Sequence, residues 1–595
     1  MNRAANLPST ARDRICLAYD PALLQAAGER LVEQLASHLA SVESSAGNVL
    51  NWASPPDNIA RAGRIADEWD ASANAEQLAA RFASLVQEML SRGHNLHDPR
   101  YVGHQVPAPV PLAGLFDAVG SVTNQVMAIY EMGPWATAVE QAMVGKLAGY
   151  LGWHEGTYAG IVTHGGTLAN LNALLVARNV ALSGCWEDGV DGRGLRVDGQ
   201  QEESVGSDSS PVPSPPGTAV FGGTGERARV RGPSGEDGSN QQKASSSSGS
   251  RPSALVSRLE SPPHPNPLLP KAGGEGTRDT PLNRAAPVLV VQADAHYCIA
   301  RAAGILGLGT KHVVKVGLDE RRRMDVRVLD ETLRDLKSKG HPIVAVVACA
   351  CSTPIGAFDP LNVVADVCER HQVWLHVDAA HGGSALLSER HRHLVAGLER
   401  ADSLVWDAHK MMFVPALCAF LFFKDQRHSY EAFHQNAPYL FDPSAPGLSE
   451  FDLGLRTFEC TKRAAVYGLW GVWSMFGPQL FTDLIDVTFD LGRIFHEKLL
   501  GASDFVALHE PQCNIVTFRH VPPELRNAPP ERLGEFQRQL RRAVIESGEF
   551  YLVATNLNGV DALRVTLINP LTTPEHLDQL LETLRRQGRE ILAGP

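Results

Sequence analysis

The amino-acid sequence predicts an α/β protein, with a mostly parallel sheet in a large domain and a small C-terminal α+β domain. Short apolar runs alternate with helical patterns across the middle of the chain, which is typical of a parallel sheet covered by helices on both faces. A further strand pattern and a long capped helix follow near the C-terminus, apart from that alternation. The 595 residues are enough for more than one core.

An amphipathic helix is predicted from Pro21 to Leu39, because apolar residues recur there near helical spacing. It belongs to an N-terminal helical segment at residues 1–98 that we expect to contribute to dimerisation. Packing of this helix against its own core is the alternative.

A segment of different composition lies at about residues 189–283. It contains PVPSPPG, GPSGEDGSN, ASSSSGS and SPPHPNPLLP, with hardly an aromatic residue. Such a segment cannot bury enough apolar surface to offset its ordering entropy, so disorder is predicted. A tolerated surface insertion is favoured over a regulatory role, because closure entropy grows slowly with loop length. The insertion interrupts a large domain predicted at residues 99–430, and residues 431–595 are assigned to the small domain.

Strands and helices alternate after the insertion. Strands are predicted at VLVVQADAH from Val288, IVAVVACA from Ile343, VWLHVDAA from Val373, SLVWDAHK from Ser403 and CAFLFFK from Cys418. Helices are predicted from Asp325 to Lys339, with Val328, Leu329, Leu333 and Leu336 facing inward, and from about Leu361 to His371. Ligands of such sheets bind beyond the carboxyl ends of the strands, which is where Asp378 and Lys410 fall.

The last elements are a strand and a helix. DALRVTLINP predicts the strand, and the helix is expected to begin with Thr573 as N-cap and Pro574 in its first turn and to end at Gly588. Its inner face is predicted to consist of Leu577, Leu580, Leu581 and Leu584.

Composition excludes several functional classes. The 54 basic and 66 acidic residues give a net charge of -12, which argues against a nucleic-acid surface. No run of about 18 apolar residues occurs, so no membrane span is expected, and the first residues lack the apolar core of a secretory signal. Nine scattered cysteines without a CxxC pair indicate reduced thiols and a cytoplasmic protein.

Four segments carry candidate chemistry. GIVTHGGTLAN, from Gly160, places glycines and Thr167 where a strand runs into a helix, and free backbone N–H groups at a helix start favour a phosphate. HVDAAHGG ends a strand with Asp378, DAHK ends another with Lys410, and QADAH ends with His296. Taken singly, each has an ordinary structural explanation, such as a tight turn, a turn cap or a solvated lysine.

Taken together, the four segments indicate pyridoxal phosphate. This cofactor requires a lysine amine for a Schiff base, a carboxylate for its pyridinium nitrogen and a cradle for its phosphate. The carboxylate keeps the ring nitrogen protonated, so that the ring accepts electrons from a bond breaking at Cα.

From Pro99 to the C-terminus, apart from the insertion, the chain resembles the group II pyridoxal-dependent amino-acid decarboxylases. These include glutamate, cysteine-sulfinate, diaminobutyrate and aromatic amino-acid decarboxylases. The shared stretches are PRYVGHQ, YEMGPW, the Gly-Gly-Thr helix start, GAFDPL, WLHVDAA, ADSLVWDAHKMM, PYLF and LRVTLINP. The resemblance implies the aspartate-aminotransferase-like fold type I of pyridoxal-phosphate enzymes, no metal, and a homodimer with the active site at the interface.

The resemblance also implies how the cofactor is held. Lys410 resembles the lysine that forms the Schiff base, and His409 a phosphate or cofactor contact. Asp378 is similar to the aspartate paired with the pyridinium nitrogen. Ala380 and His296 resemble the residues on the two faces of the ring. The phosphate-binding turn matches Gly166 and Thr167, and Thr353 lies in the segment facing the ring's hydroxyl side.

Three further residues are implied to act on the substrate. Tyr439, in PYLF, resembles the tyrosine of a mobile loop that protonates Cα after carbon dioxide leaves. Arg564 matches an arginine that binds the substrate α-carboxylate, and Gln105 lines the same pocket.

The chain departs from the family pattern at three places near the cofactor. Asp407-Ala408 stand where the family usually has Asn-Pro, His381 stands where an aromatic residue is often found, and Cys351-Ser352-Thr353 replace a usual Gly-Thr-Thr. These changes remove no essential group, so they bear on the substrate more than on the chemistry.

The resemblance therefore implies decarboxylation of an L-amino acid to the amine and carbon dioxide. YEMGPW and PYLF favour an acidic substrate, such as glutamate, aspartate or cysteine sulfinate, while diaminobutyrate and aromatic substrates stay open. Cys460-Thr461-Lys462-Arg463 either places a cation near an acidic side chain or is a solvated helix start. The alternatives are a pyridoxal-phosphate carbon–carbon lyase, an aldehyde-forming oxidative decarboxylase, and a non-catalytic relative that acts as a binding partner.

Overall fold

The computed structural model describes residues 10–190, 286–433 and 451–594. The predicted insertion at about 189–283 and Tyr439 therefore lie largely or wholly outside the described residues. Two sheets organise the described part of the chain, one of seven strands and one of four. The boundaries predicted at residues 99–430 and 431–595 stay predictions.

Helices precede the first strand. They are α1 (Ala11–Ala18), α2 (Pro21–Glu43), α3 (Pro55–Asp67), α4 (Ala75–Arg92), α5 (Pro111–Thr123) and α6 (Pro134–Tyr150). The helix predicted from Pro21 is α2, which continues to Glu43. Asp20 caps its N-terminus by accepting a hydrogen bond from the Ala22 N–H, and Pro21 occupies the first turn, where it removes no helical hydrogen bond.

Alternating strands and helices build the large sheet. They are β1 (Ala159–Thr163), α7 (Gly166–Ala181), α8 (Cys185–Asp188), β2 (Val288–Gln292), α9 (Tyr297–Ile305), β3 (Val313–Val316), α10 (Val326–Ser338), β4 (Ile343–Cys349), α11 (Leu361–His371), β5 (Leu375–Asp378), β6 (Ser403–Asp407), α12 (Ala408–Met411) and β7 (Ala419–Phe423). The strand order is β1-β7-β6-β5-β4-β2-β3. Neighbours from β6 to β3 pair in parallel, which confirms the mostly parallel sheet.

Strand β7 is the exception, because it runs antiparallel to both β6 and β1. The run from Cys418, which was predicted only as a strand, is therefore an antiparallel member of the mostly parallel sheet. The chain passes from Asp407 at the end of β6 to Ala419 at the start of β7 through the short helix α12. A parallel neighbour needs a crossover of about a dozen residues or more, usually built around a full helix, and the 4-residue α12 does not provide one.

Helix α10 corrects one predicted core residue. Leu329, Leu333 and Leu336 are buried as expected, but Val328 is 36% exposed. The three leucines share one stripe at helical spacing, and the neighbouring position is rotated away from it. Asp325 caps the helix, accepting hydrogen bonds from the N–H groups of Arg327 and Val328.

The remaining elements surround the small sheet. They are α13 (Tyr467–Phe476), α14 (Gln479–Leu500), β8 (Phe505–Ala507), β9 (Ile515–His520), α15 (Pro530–Ser547), β10 (Val553–Leu557), β11 (Val560–Thr566) and α16 (Pro574–Ala593). The strand order is β10-β11-β9-β8, and every pairing is antiparallel. Helices α14, α15 and α16 pack with this sheet around a second apolar core.

Helix α16 continues past the residue predicted to end it. Its predicted inner leucines are buried, but the helix extends to Ala593 and is capped by Gly594. A Cβ on Gly588 would lie 3.0 Å from Nε2 of His520 and 3.2 Å from the ring of Phe536. Gly588 therefore permits close packing within the helix instead of ending it.

No helix in the described part of the chain is both long and apolar enough to cross a bilayer.

Candidate active site

A cavity of about 290 Å³ opens where the carboxyl ends of β5 and β6 face the start of α7. Its lining includes predicted site residues from distant parts of the sequence, namely Gln105, Gly166, Thr167, His296, Thr353, Asp378, Ala380, His409 and Lys410. Arg564 lies immediately behind Thr353, to whose carbonyl oxygen it donates a hydrogen bond. Among the predicted site residues, Tyr439 alone falls outside the described residues.

Lys410 lies on α12, directly after β6. Its Nζ is 3.3 Å from Oδ2 of Asp407, and its side chain is 22% exposed. Burial disfavours the ammonium form, but the attraction of Asp407 and Asp378 outweighs it and raises the pKa of Lys410 above its ordinary value. The amine thus lies at the cavity surface and is held by charge, not by a complete set of hydrogen bonds.

Asp378 ends β5, in the interior of the large sheet, and pairs in register with Cys349 on β4 and Val405 on β6. Its Oδ1 accepts a hydrogen bond from the N–H of Ala380 at 3.2 Å. This bond helps to fix the carboxylate at the strand end, where it lines the cavity. Such an arrangement suits a fixed negative charge opposite a bound cation.

The start of α7 forms the third wall. Gly165 adopts φ 111°, which favours glycine, and no side chain caps the first turn of the helix. The first N–H groups of the helix therefore keep their capacity to bind an anion. Thr167 follows in the same turn and lines the cavity.

A buried hydrogen-bond network fixes this helix start on the sheet. Nδ2 of Asn170 donates to the carbonyl oxygen of Gly166 at 2.8 Å, and Oδ1 of Asn170 is 2.8 Å from Nε2 of His376. Nδ1 of His376 is 2.8 Å from Oγ of Ser403. Burial lowers the pKa of His376 to about 4, so a neutral ring donates from Nε2 and accepts at Nδ1.

Sequence reasoning missed this network, although Asn170 lies one helical turn after Gly166. The available signal for Asn170 was its position four residues after Gly166, because residues at this spacing lie on the same face of a helix. His376 carried no comparable signal, since nothing in the sequence relates a histidine within β5 to a residue on α7.

His296 is the N-cap of α9, where its Nδ1 accepts a hydrogen bond from the N–H of Cys298 at 3.3 Å. Burial lowers the pKa of His296 below its ordinary value. The ring is therefore neutral at neutral pH, and it lines the cavity wall.

Arg564 lies on β11 and is 6% exposed. Burial lowers its pKa to about 10, so the guanidinium remains charged at neutral pH. Its Nη1 donates to the Thr353 carbonyl oxygen at 2.7 Å, while its buried Nε has no hydrogen-bond partner within the described part of the chain. A buried cation with an unused donor is suited to a carboxylate ligand.

Two of the departures from the family pattern line the cavity as neutral groups. Nε2 of His381 is 2.9 Å from Oδ1 of Asn514, and burial lowers the pKa of His381 to about 3. The sulfur of Cys351 lies 3.9 Å from that of Cys513, and this contact, together with burial, raises the pKa of the Cys351 thiol well above its ordinary value. These substitutions change the shape of the wall without adding charge.

A histidine–carboxylate pair at the cavity was not predicted. Nδ1 of His164, which precedes the Gly-Gly-Thr turn, is 2.5 Å from Oε1 of Glu459. Glu459 lies 295 residues further along the chain, and no local pattern relates the two.

The cationic cluster at Cys460 to Arg463 does not serve the cavity. Nζ of Lys462 is 2.5 Å from Oε1 of Glu140 and donates to the carbonyl oxygen of Val162 at 2.6 Å, and the Lys462 side chain is 1% exposed. Arg463 donates to Oγ of Ser121 instead. Lys462 is thus neither a substrate ligand nor a solvated residue, because it forms a buried ion pair with Glu140 on α6.

The residues around the cavity fit pyridoxal phosphate. An amine, a fixed carboxylate, a neutral histidine and an uncapped helix start line one cavity. Within the described residues, no cluster of three or more potential metal ligands was found.

Comparison with known proteins agrees with this assignment. Residues 271–521 match the pyridoxal-dependent decarboxylase conserved domain. The chain is 33% identical over 313 residues to an acidic amino acid decarboxylase of Mus musculus, and 34% identical over 318 residues to the cysteine sulfinic acid decarboxylase of Rattus norvegicus. These matches cover 51% and 52% of this chain, and 56% and 64% of the two relatives, which is less than two thirds of either.

The fold is also found in a solved structure. The crystal structure of mouse CSAD superposes with a TM-score of 0.73 at 23% identity, covering 96% of this chain and 99% of that one. At that identity the similarity establishes the fold, which is the predicted fold type I.

Proposed function

We propose that this chain decarboxylates an L-amino acid with pyridoxal phosphate as cofactor, because residues 271–521 match the pyridoxal-dependent decarboxylase conserved domain. The products are the amine and carbon dioxide, and an acidic amino acid is the proposed substrate class. The observation that carries the proposal is the position of Lys410 and Asp378 at the ends of neighbouring strands, facing the uncapped start of α7.

Each residue has a task that follows from its surroundings. When bound, pyridoxal phosphate supplies a ring that accepts the electron pair released as the bond from Cα to the carboxylate breaks. Lys410 holds the cofactor through its amine, and Asp378 holds a proton on the ring nitrogen by its negative charge. Gly166, Thr167 and the first N–H groups of α7 bind the phosphate.

Arg564 is the proposed ligand of the substrate α-carboxylate. Its hydrogen bond to Thr353 fixes the guanidinium, and its unpaired Nε leaves a donor for the substrate. Positioning of this kind contributes several kcal/mol to lowering the barrier. Gln105, at the same cavity, is a second proposed substrate contact.

Tyr439 keeps the role implied by the family resemblance, as donor of a proton to Cα after carbon dioxide leaves. This step distinguishes simple decarboxylation from the aldehyde-forming alternative, because a carbon that is protonated promptly is unavailable to oxidation. A Tyr439→Phe variant that releases more aldehyde per carbon dioxide would support it.

An acidic substrate is supported by the relatives, which are named for acidic amino acids and for cysteine sulfinic acid. Lys462 does not contribute to this preference, because its charge is used by Glu140.

Carbon dioxide release tests the proposal directly. Purified protein with added pyridoxal phosphate should release carbon dioxide from an acidic amino acid and from few others in a panel that includes cysteine sulfinate and diaminobutyrate. Lys410→Ala should abolish both turnover and the visible absorbance of covalently bound cofactor, because no other lysine lines the cavity within the described residues.

Lys424→Ala is the matched control, since Lys424 is an exposed lysine just after β7. Normal turnover by Lys410→Ala would refute the assignment of Lys410. Bound cofactor without turnover on any amino acid would favour the non-catalytic alternative.

A homodimer with the site at the interface is also proposed. Large apolar side chains are exposed on the N-terminal helices or just beyond them, including Tyr19 at 84%, Trp69 at 76% and Met89 at 73%. An apolar surface of this kind favours association with a second copy. Sedimentation velocity on the full chain tests it, and a monomer at micromolar concentration would contradict it.

A cytoplasmic location is proposed from cysteine chemistry. All nine cysteines are free, and most are buried. Unpaired thiols in this number are typical of proteins in reducing compartments.

A further inference from the structure

Asp407 ends β6 with its carboxyl group pressed against the first residue of α7. A Cβ placed on Gly166 would lie 2.7 Å from Oδ2 and 3.0 Å from Oδ1 of Asp407. The Asp407 side chain is only 2% exposed, and it lines the cavity. A carboxyl group therefore stands beside the helix start that is suited to an anion.

The hydrogen bonding of this carboxyl group is incomplete. Oδ2 is 3.3 Å from Nζ of Lys410 and 3.6 Å from Nε2 of His409. Oδ1 is buried and has no hydrogen-bond partner within residues 10–190, 286–433 and 451–594. Leaving a buried acceptor unpaired is unfavourable, so this oxygen is the place where a proton or a ligand would be gained most easily.

Both basic and acidic groups surround Asp407. Lys410 and His409 face it from α12, and Asp378 faces it from β5 with a like charge. His296 and Cys298 of α9, and Cys418 before β7, are its remaining titratable neighbours. Burial raises the pKa of Asp407, and the attraction of Lys410 and His409 only partly offsets it.

Cofactor binding changes the balance of these charges in one direction. A phosphate at the start of α7 then brings further negative charge to the same place. Two anions so close in a buried site repel strongly, whereas a neutral carboxylic acid can donate its O–H to a phosphate oxygen.

We propose that Asp407 is a phosphate ligand of the cofactor and that it binds the phosphate as a neutral carboxylic acid, taking up one proton from solvent when the cofactor binds. This inference rests on the proposed function, since it requires pyridoxal phosphate in the cavity. An asparagine at the same position would bind the phosphate without proton uptake, because an amide donates a hydrogen bond without gaining a proton.

Proton uptake on ligand binding is the direct test. Pyridoxamine phosphate carries the phosphate but has no aldehyde to react with Lys410, so it separates phosphate binding from covalent chemistry. Isothermal titration calorimetry of the full chain, in buffers of different ionisation enthalpy at pH 7.5 to 8.5, counts the protons bound per ligand. This range lies above the phosphate's own second pKa of about 6.

The wild-type protein should take up about one proton more than Asp407→Asn. Its affinity relative to that variant should fall by up to about tenfold per pH unit as the pH rises, because the proton becomes harder to obtain. Asp402→Asn is the matched control, since Asp402 lies at the opposite end of β6 and accepts a hydrogen bond from Leu375 N–H. It should behave as the wild type does.

A second comparison needs no variant. Wild-type protein should take up the extra proton with pyridoxamine phosphate but not with pyridoxamine, which lacks the phosphate. Equal proton uptake with both ligands, or equal uptake by wild type and Asp407→Asn, would overturn the inference while leaving the cofactor in place. Failure of the wild type to bind pyridoxal phosphate at all would overturn the proposed function and this inference with it.

Discussion

Two lysines each face a buried carboxylate in this protein, yet their surroundings differ. Lys462 lies 2.5 Å from Glu140, donates to the Val162 carbonyl oxygen, and is 1% exposed. Oε1 of Glu140 also accepts the Val162 N–H at 3.0 Å, so the pair is bonded to the backbone of β1. Lys410 has a longer contact to Asp407, a partly exposed side chain and a partner with an unpaired oxygen.

The difference indicates which pair is structural and which is functional. A buried ion pair is tolerated when hydrogen bonds satisfy both members, and such a pair has nothing left for a ligand. An ion pair at a cavity whose hydrogen bonds are incomplete keeps donors and acceptors that can bind a ligand. The contrast is testable, because removing each lysine should damage a different property.

Lys462→Ala should have the largest effect on stability. It leaves the charge of Glu140 buried without a cation, and breaking such a pair costs about 3–5 kcal/mol of unfolding free energy. Chemical denaturation followed by far-UV circular dichroism measures it. Lys410→Ala should cost clearly less, because the contact between Lys410 and Asp407 is longer and already leaves Oδ1 of Asp407 unpaired. An equal loss of unfolding free energy in the two variants would contradict the distinction between a structural and a functional pair.

Asn170→Ala should have an intermediate effect. It removes the hydrogen bond to the Gly166 carbonyl oxygen and leaves Nε2 of His376 unpaired in the core, at a cost of about 1–3 kcal/mol. It should also weaken pyridoxal-phosphate binding, since the start of α7 loses its attachment to the sheet. An unchanged affinity together with reduced stability would restrict the network to a structural role.

Asp407→Asn should have the smallest effect on stability, within about 1 kcal/mol for the cofactor-free protein. Burial raises the pKa of Asp407 in the folded state, so its ionisation opposes folding. The wild type should therefore lose stability relative to the variant as the pH rises from the ordinary aspartate range through the raised pKa. Denaturation midpoints of both proteins from pH 4 to pH 8 would show it, and parallel curves would contradict it.

The sequence predicted the large sheet and the cofactor cavity better than its polar surroundings. Strand-end residues such as Asp378 and Lys410 follow apolar runs directly, so the parallel-sheet rule places them at one edge. The partners of Lys462 and His164 could not be predicted, since Glu140 and Glu459 lie about 300 residues away along the chain. Pairing at that distance depends on how helices pack, and no local pattern encodes it.

Two further elements show a different limit. The direction of β7 depends on the short connection through α12, which the apolar pattern of CAFLFFK does not reveal. Gly588 looked like a helix end, but it lies in the helix interior because His520 and Phe536 require a close approach. The chain connection decided the first outcome and tertiary packing the second, and local preference decided neither.

The bond between Asn170 and His376 has a consequence for how the chain folds. It joins residues 206 positions apart, so this bond can form only once the start of α7 and strand β5 have come together. Contacts of such long range slow folding. The residues at about 189–283 lengthen this loop roughly twofold, and a doubling adds only about 0.6 kcal/mol of closure entropy. A shortened chain should therefore refold somewhat faster while gaining little in equilibrium stability.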